Sequence, residues 1–122
     1  MVRLALIVLL FCSGAAAQGK PLLVETLVLT VSNSLDDAST LQRIHQGYME
    51  AAFPQGIAEF VGRRPSAARL LLTTGAIQAV SEWAAYRAER SNHLGWKVFG
   101  HTLLIEETVS HFRGFMHNET AP

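Results

Sequence analysis

The sequence predicts an all-α fold: a small three-helix bundle preceded by an N-terminal signal helix. Three observations lead there. Breaks made of Pro, Gly and Asn fall at only a few places and leave three long stretches without proline. Inside those stretches, polar and apolar residues recur at three- and four-residue spacings, the period of a helix. Ahead of them lies a short apolar run with the layout of a secretory signal.

That leading segment has one positive charge, Arg3, an apolar core from Leu4 to Phe11, and small residues ending in Ala15-Ala16-Ala17. A small-x-small site places cleavage after Ala17, so residues 1–17 are the expected signal and 18–122 a single helical domain. The apolar run is shorter than the ~20 residues that span a bilayer, and Gly19, Lys20 and Pro21 interrupt it. Cys12 follows Phe11 rather than a small residue, which argues against lipidation. It is the only cysteine in the 122 residues, so cleavage leaves neither a disulfide nor a thiolate nucleophile.

The first stretch predicts a helix from about Leu22 to Met49. Glu25, Ser32, Asp36, Ser39, Arg43 and Glu50 fall on one stripe, with Thr40 and Gly47 beside it. Leu23, Val24, Leu27, Val28, Val31 and Leu35 fall on the other side. The second helix is expected from about Ser66, a good N-cap after Pro65, to Arg90. From Leu70 to Ala85 its one charge is Glu82, and its apolar residues lie nearly all round: Leu70, Ile77 and Ala84 on one arc, Leu72, Ala76, Ala79 and Trp83 on another. Such a helix is a central core element or a membrane span, and its many small residues suit close approach by neighbours. The third runs from about Trp96 to Met116. Val98, Ile105, Val109, Phe112 and Met116 make a narrow apolar stripe, opposed by Glu107, His111 and Asn118. This is the pattern of an amphipathic packing helix. The expected order is up-down-up, with the middle helix most deeply buried.

Ten basic residues balance ten acidic ones, which excludes the broad positive field of non-specific nucleic-acid binding. A mean hydropathy of +0.21 with 16% charged residues argues against disorder and raises the prospect of membrane residence. The loop arginines Arg63, Arg64, Arg69, Arg87 and Arg90 with Lys97 lie on both flanks of the middle helix and set no orientation.

Several short motifs occur in order: Asp36-Asp37-Ala38-Ser39-Thr40, then Gly47-Tyr48-Met49-Glu50, then His117-Asn118 after a helix rich in small residues. In this combination, from Leu35 to Asn118, the chain resembles a family of short bacterial membrane proteins of unknown function. It departs from that pattern at Ala52-Phe53, where the family has Asn-Pro, and in the charged pair Glu106-Glu107. The resemblance implies a membrane setting and brings no activity with it.

Two constellations are candidates for chemistry. Asp36, Ser39, Thr40, Arg43 and Glu50 line a bundle interior and bind a polar ligand if their stripe faces inward; otherwise they form an ordinary water-facing side. Glu107 and His111 are four residues apart, and with Glu82 across the bundle they are candidate metal ligands, although an exposed i,i+4 pair, common by chance, explains them more simply. Ser110 and His111 are adjacent and cannot face one another on a helix. No nucleophile elbow and no phosphate-binding loop is present, so catalysis and nucleotide binding lack support. Trp83, Tyr86 and Trp96 flank a short loop, either as an interfacial aromatic belt or as core. Asn118-Glu119-Thr120 fits a glycosylation triplet at a terminus expected to fray.

The expectation is an exported, membrane-associated, non-enzymatic structural or interaction protein that needs no cofactor. Its partners would be membrane lipid, a second copy or a larger membrane protein, and no nucleic acid. The alternative is a soluble periplasmic or extracellular bundle that binds a metal or small polar ligand.

Overall fold

A computed structural model describes residues 20–48, 61–62 and 64–121. The expected signal, its cleavage site, Cys12 and Glu50 lie outside the described residues. Among the described residues the chain is all-α, with α1 at Lys20–His45, α2 at Ala67–Glu89 and α3 at Leu94–Thr120.

Each boundary has a local cause. α1 stops earlier than the periodicity suggests because Gly47 takes φ +97, a conformation that side chains with a Cβ resist. The Tyr48 amide then donates to Arg43 O at 3.1 Å and the Gly47 amide to Ile44 O at 3.0 Å. This paired closure satisfies the last free carbonyls of the helix. α2 starts behind Ser66, whose hydroxyl accepts from the Arg69 amide at 3.3 Å, as its sequence position predicts. α3 continues through Thr120, and Ala121 N closes it on His117 O at 2.9 Å.

The order is up-down-up. Arg43, near the end of α1, donates to Ala121 O beyond the end of α3, and Glu25 near the start of α1 meets His101 of α3, so these two helices run parallel. α2 lies antiparallel to both. α3 packs most extensively on α1, less on α2, and the α1–α2 contact is the slightest. Gly100 lets α3 approach α2 closely: a Cβ there would sit 3.1 Å from both Ala85 O and Ala88 Cβ.

The polarity of the bundle is inverted. A small apolar cluster of Leu22, Leu29, Ala85 and Leu104 occupies one level, with Tyr86 packed against it. Much of the remaining interior is polar: Thr26, Thr30, Asn33, Asp37, Thr74, Gln78 and Glu82 are all buried. Many of the apolar residues point outward. Val24, Val28 and Val31 of α1 are exposed, and so is the whole α3 stripe of Val98, Ile105, Val109, Phe112 and Met116.

This overturns two expectations. α3 is not an amphipathic helix packed by its apolar stripe, because that stripe faces away from both neighbours. α2 is not an all-round buried helix: Leu72 and Trp83 are 72% and 64% exposed, while its inner face is Thr74, Gly75, Gln78, Ser81 and Glu82. The physical reason is hydrogen bonding. Thr74 and Gln78 find partners on α1, and rotating the helix to bury Leu72 would strand them. No described helix is long and apolar enough to cross a membrane, so the expectation of a transmembrane helix at α2 fails. Its apolar arc is interrupted by the same inward polar residues.

Candidate functional site

The interior polar groups form interhelical links from one end of the bundle to the other. At the level of the first turns of α1, His101 of α3 lies between two carboxylates from two different helices. Its Nδ1 is hydrogen-bonded to Glu25 of α1, and its Nε2 lies 3.2 Å from Glu89 Oε2 of α2. The second contact is one of charge, since Glu89 Oε2 has no aligned hydrogen-bond donor. Lys97 adds a longer contact to Glu89 at 3.8 Å. Hydrogen bonding to Glu25 holds the His101 pKa above its ordinary value. Partial burial opposes this, and the Glu25 and Glu89 charges reinforce it.

At mid-bundle the links are amides and hydroxyls. Asn33 Nδ2 donates to Gln78 Oε1 at 2.8 Å, and Gln78 Nε2 donates to Thr30 Oγ1 at 2.9 Å and to Glu82 Oε1 at 2.7 Å. Thr74 Oγ1 donates to Asp37 Oδ2 at 2.7 Å. Burial raises the Glu82 pKa; the Gln78 bond pulls it back, and the charge of Glu107 raises it further. Glu82 and Glu107 therefore face the same interior from α2 and α3.

Beyond this lies a second histidine–carboxylate set. His111 Nδ1 is 2.8 Å from Asp36 Oδ2, and its Nε2 is 4.0 Å from Glu107 Oε1 one turn earlier. Burial disfavours the charged imidazolium of His111. The hydrogen bond to Asp36, with the charges of Asp36, Asp37 and Glu107, outweighs burial and leaves the pKa raised. Gly114 makes room for this contact, since a Cβ there would lie 2.5 Å from Asp36 Oδ1. The last link is Asn118, whose Nδ2 donates to Ser39 Oγ at 3.0 Å and Thr40 Oγ1 at 2.9 Å. The Asp-x-x-Ser-Thr segment and the terminal Asn thus meet in space, with the half-buried Asn118 amide engaged by both hydroxyls.

No protein-family model, curated protein or solved structure matches the chain. What the arrangement can do must therefore be read from its own residues.

Of the sequence candidates, Asp36, Ser39 and Thr40 lie on the inward stripe, and each binds α3 through the contacts above. Arg43 reaches Ala121 O at 3.1 Å and stacks on the Tyr48 ring with its guanidinium 3.9 Å from the centroid. The water-facing alternative for this stripe is thus excluded for Ser39 and Thr40, which are buried. Glu82, Glu107 and His111 all face the interior, but Gln78 holds Glu82 and Asp36 holds the Nδ1 of His111. Among the described residues no group of three or more His, Cys, Asp and Glu side chains is placed to hold a metal ion. Sequence reasoning missed Asn33, Gln78, Thr74 and His101 as linking residues. Asn33, Asp37 and Thr40 share a helix face with Thr26 and Thr30, and Thr74, Gln78, Ser81 and Glu82 share one on α2, so the stripes were visible. Their role was not, because uncharged polar residues carry no chemistry of their own.

Proposed function

We propose that this chain is a non-enzymatic helical interaction protein that works in contact with a membrane, its apolar outer surface set against lipid acyl chains. The observation that supports this is the inversion: hydrogen-bonded amides, hydroxyls and carboxyls inside, and valines, leucines and aromatic rings outside. In water the hydrophobic effect, at about 25 cal/mol per Å² of apolar surface, favours the opposite arrangement. Contiguous exposed apolar surface on all three helices marks an interaction surface. In lipid there is no hydrophobic drive between helices, so they associate through small residues and interhelical polar bonds. Gly100 against Ala85 and Ala88, and the Asn33–Gln78 and Asn118–Ser39 bonds, are contacts of that kind.

Trp83 and Trp96 are both exposed, at 64% and 56%, which suits rings at a lipid–water boundary and removes them from the core. Export through residues 1–17 and kinship with short bacterial membrane proteins belong to the same proposal. The polar links cross-brace the helices, so the product is a rigid apolar-surfaced body suited to docking on lipid or on a membrane partner's helices. The test is alkaline extraction of membranes from cells that express the full chain. Retention in the pellet is expected. Release into the supernatant contradicts the proposal.

A further inference from the structure

An open groove of about 660 Å³ runs between the outer faces of α1 and α3. Its walls are Leu27, Val31 and Leu35 of α1 and Val109 and Phe112 of α3. Two hydroxyls reach its lining, Ser32 and Thr108, but Ser32 donates to Leu29 O at 2.9 Å and Thr108 to Leu104 O at 2.8 Å. Both are committed to their own helices, so the lining asks for an apolar occupant. The one charged residue that lines it is Arg113. Arg113 is exposed and makes no hydrogen bond or ion pair with any other described residue. Because α1 and α3 run parallel with Asp36 opposite His111, Arg113 stands at the Leu35 end of the groove.

We propose that this groove binds a single-chain fatty-acid amphiphile, its tail along α1 and its carboxylate on Arg113. From Leu27 to Leu35 the groove extends about 12 Å at 1.5 Å per residue. One extended acyl chain matches this length and the apolar walls, and the cation at the end of the groove selects an anionic head. Arg113 matches a carboxylate in charge and in planar, two-pronged hydrogen-bonding geometry. The groove's volume lies in the range of small-molecule sites. The inference goes beyond the membrane proposal and stands without it, since it needs only the groove and its cation.

The test is calorimetric titration of the purified full chain with dodecanoate and, separately, with dodecanol, below their aggregation concentrations. Dodecanoate should saturate at one per chain and bind about tenfold more tightly than dodecanol, the scale of one exposed charge-assisted hydrogen bond. Arg113→Gln should bring dodecanoate down to the level of dodecanol, and Arg113→Lys should keep most of the preference. Val31→Trp, which fills the groove, should weaken both ligands. Unsaturable partition, equal binding of acid and alcohol, or a preference that survives Arg113→Gln overturns the inference. Should the Arg113 variants lose their helical circular dichroism, wild-type chain decides: dodecyltrimethylammonium must bind more weakly than dodecanoate, and equal binding overturns the site. Alkaline extraction separates this from the membrane proposal. A chain that is released from membranes yet binds dodecanoate sinks only the membrane reading, and one that stays in the pellet without head-group preference sinks only this one.

Discussion

Gln78→Met probes the polar interior most sharply. Gln78 is fully buried and makes three interhelical or intrahelical links, to Asn33, Thr30 and Glu82, at 2.8, 2.9 and 2.7 Å. Methionine keeps the length and shape of the side chain and removes all three. Thr30 still donates to Thr26 O at 2.8 Å, so it loses only an acceptor role. Asn33 Nδ2 loses its acceptor and Glu82 a donor, both in buried positions. An orphaned buried group costs about 1–3 kcal/mol, so these two together cost about 4 kcal/mol. The apolar gain of methionine offsets about 1 kcal/mol of that, for a net loss of about 3 kcal/mol. Urea unfolding followed by far-UV circular dichroism, in one fixed detergent and pH, measures it. The paired variant Gln78→Met with Asn33→Leu should recover about 1 kcal/mol or more relative to the sum of the singles, because no stranded Asn amide remains. A loss under about 0.5 kcal/mol for Gln78→Met, or strictly additive losses, would refute the hydrogen-bonded interior.

Other consequences follow from the same geometry. The folded pKa of His111 is raised above 6.5 and that of Glu82 above 4.5, so the folded chain binds more protons than the unfolded one and stability falls as pH rises. The His111 contribution is complete below about pH 6.5 and fades as pH climbs through its folded value; that of Glu82 is complete below about 4.5 and fades likewise. Melting temperature should therefore be lower at about pH 8 than at about pH 6, with a smaller drop in His111→Gln; a higher value at pH 8 would contradict this. Asp36→Asn should move the His111 imidazole titration, followed by NMR, to lower pH, because burial then acts with less opposition. Gly114→Ala should shift it the same way by pushing the Asp36 carboxylate aside. Gly100→Ala places a methyl 3.1 Å from the Ala85 carbonyl, and since backbone cannot yield as a side-chain tip can, an overpacking cost of about 1–3 kcal/mol outweighs the ~1 kcal/mol helix gain of alanine, for a net loss of about 1 kcal/mol in the same unfolding assay.

The three helices were legible in the sequence because proline and glycine spacing and helical period both come from local chemistry. Ser66 as N-cap, the parallel placement of the first and last helices, and the stripe through Asp36, Ser39 and Thr40 were legible for the same reason. The end of α1 was misplaced because Gly47 was read as part of the stripe, whereas its positive φ makes it the terminator. The orientation of the faces was not legible. Periodicity separates Val28 from Thr30 and Val80 from Gln78, but which of each pair goes inside depends on the surroundings of the fold. The link from Glu25 to His101 spans 76 residues of sequence and that from Asp36 to His111 spans 75, so neither pairing has a local signal. Gln78 carries no charge to mark it, so the α2 sequence with its single charge, Glu82, reads as apolar nearly all round.

The inverted arrangement can be measured directly by nitroxide spin labels at Val28, Val80 and Ile105, one outward position on each helix. In the full chain reconstituted into phosphatidylglycerol–phosphatidylcholine vesicles, relaxation by oxygen should exceed relaxation by a water-soluble nickel chelate at all three. Faster relaxation by the nickel chelate at all three would mean that water covers these faces, and the account would fail.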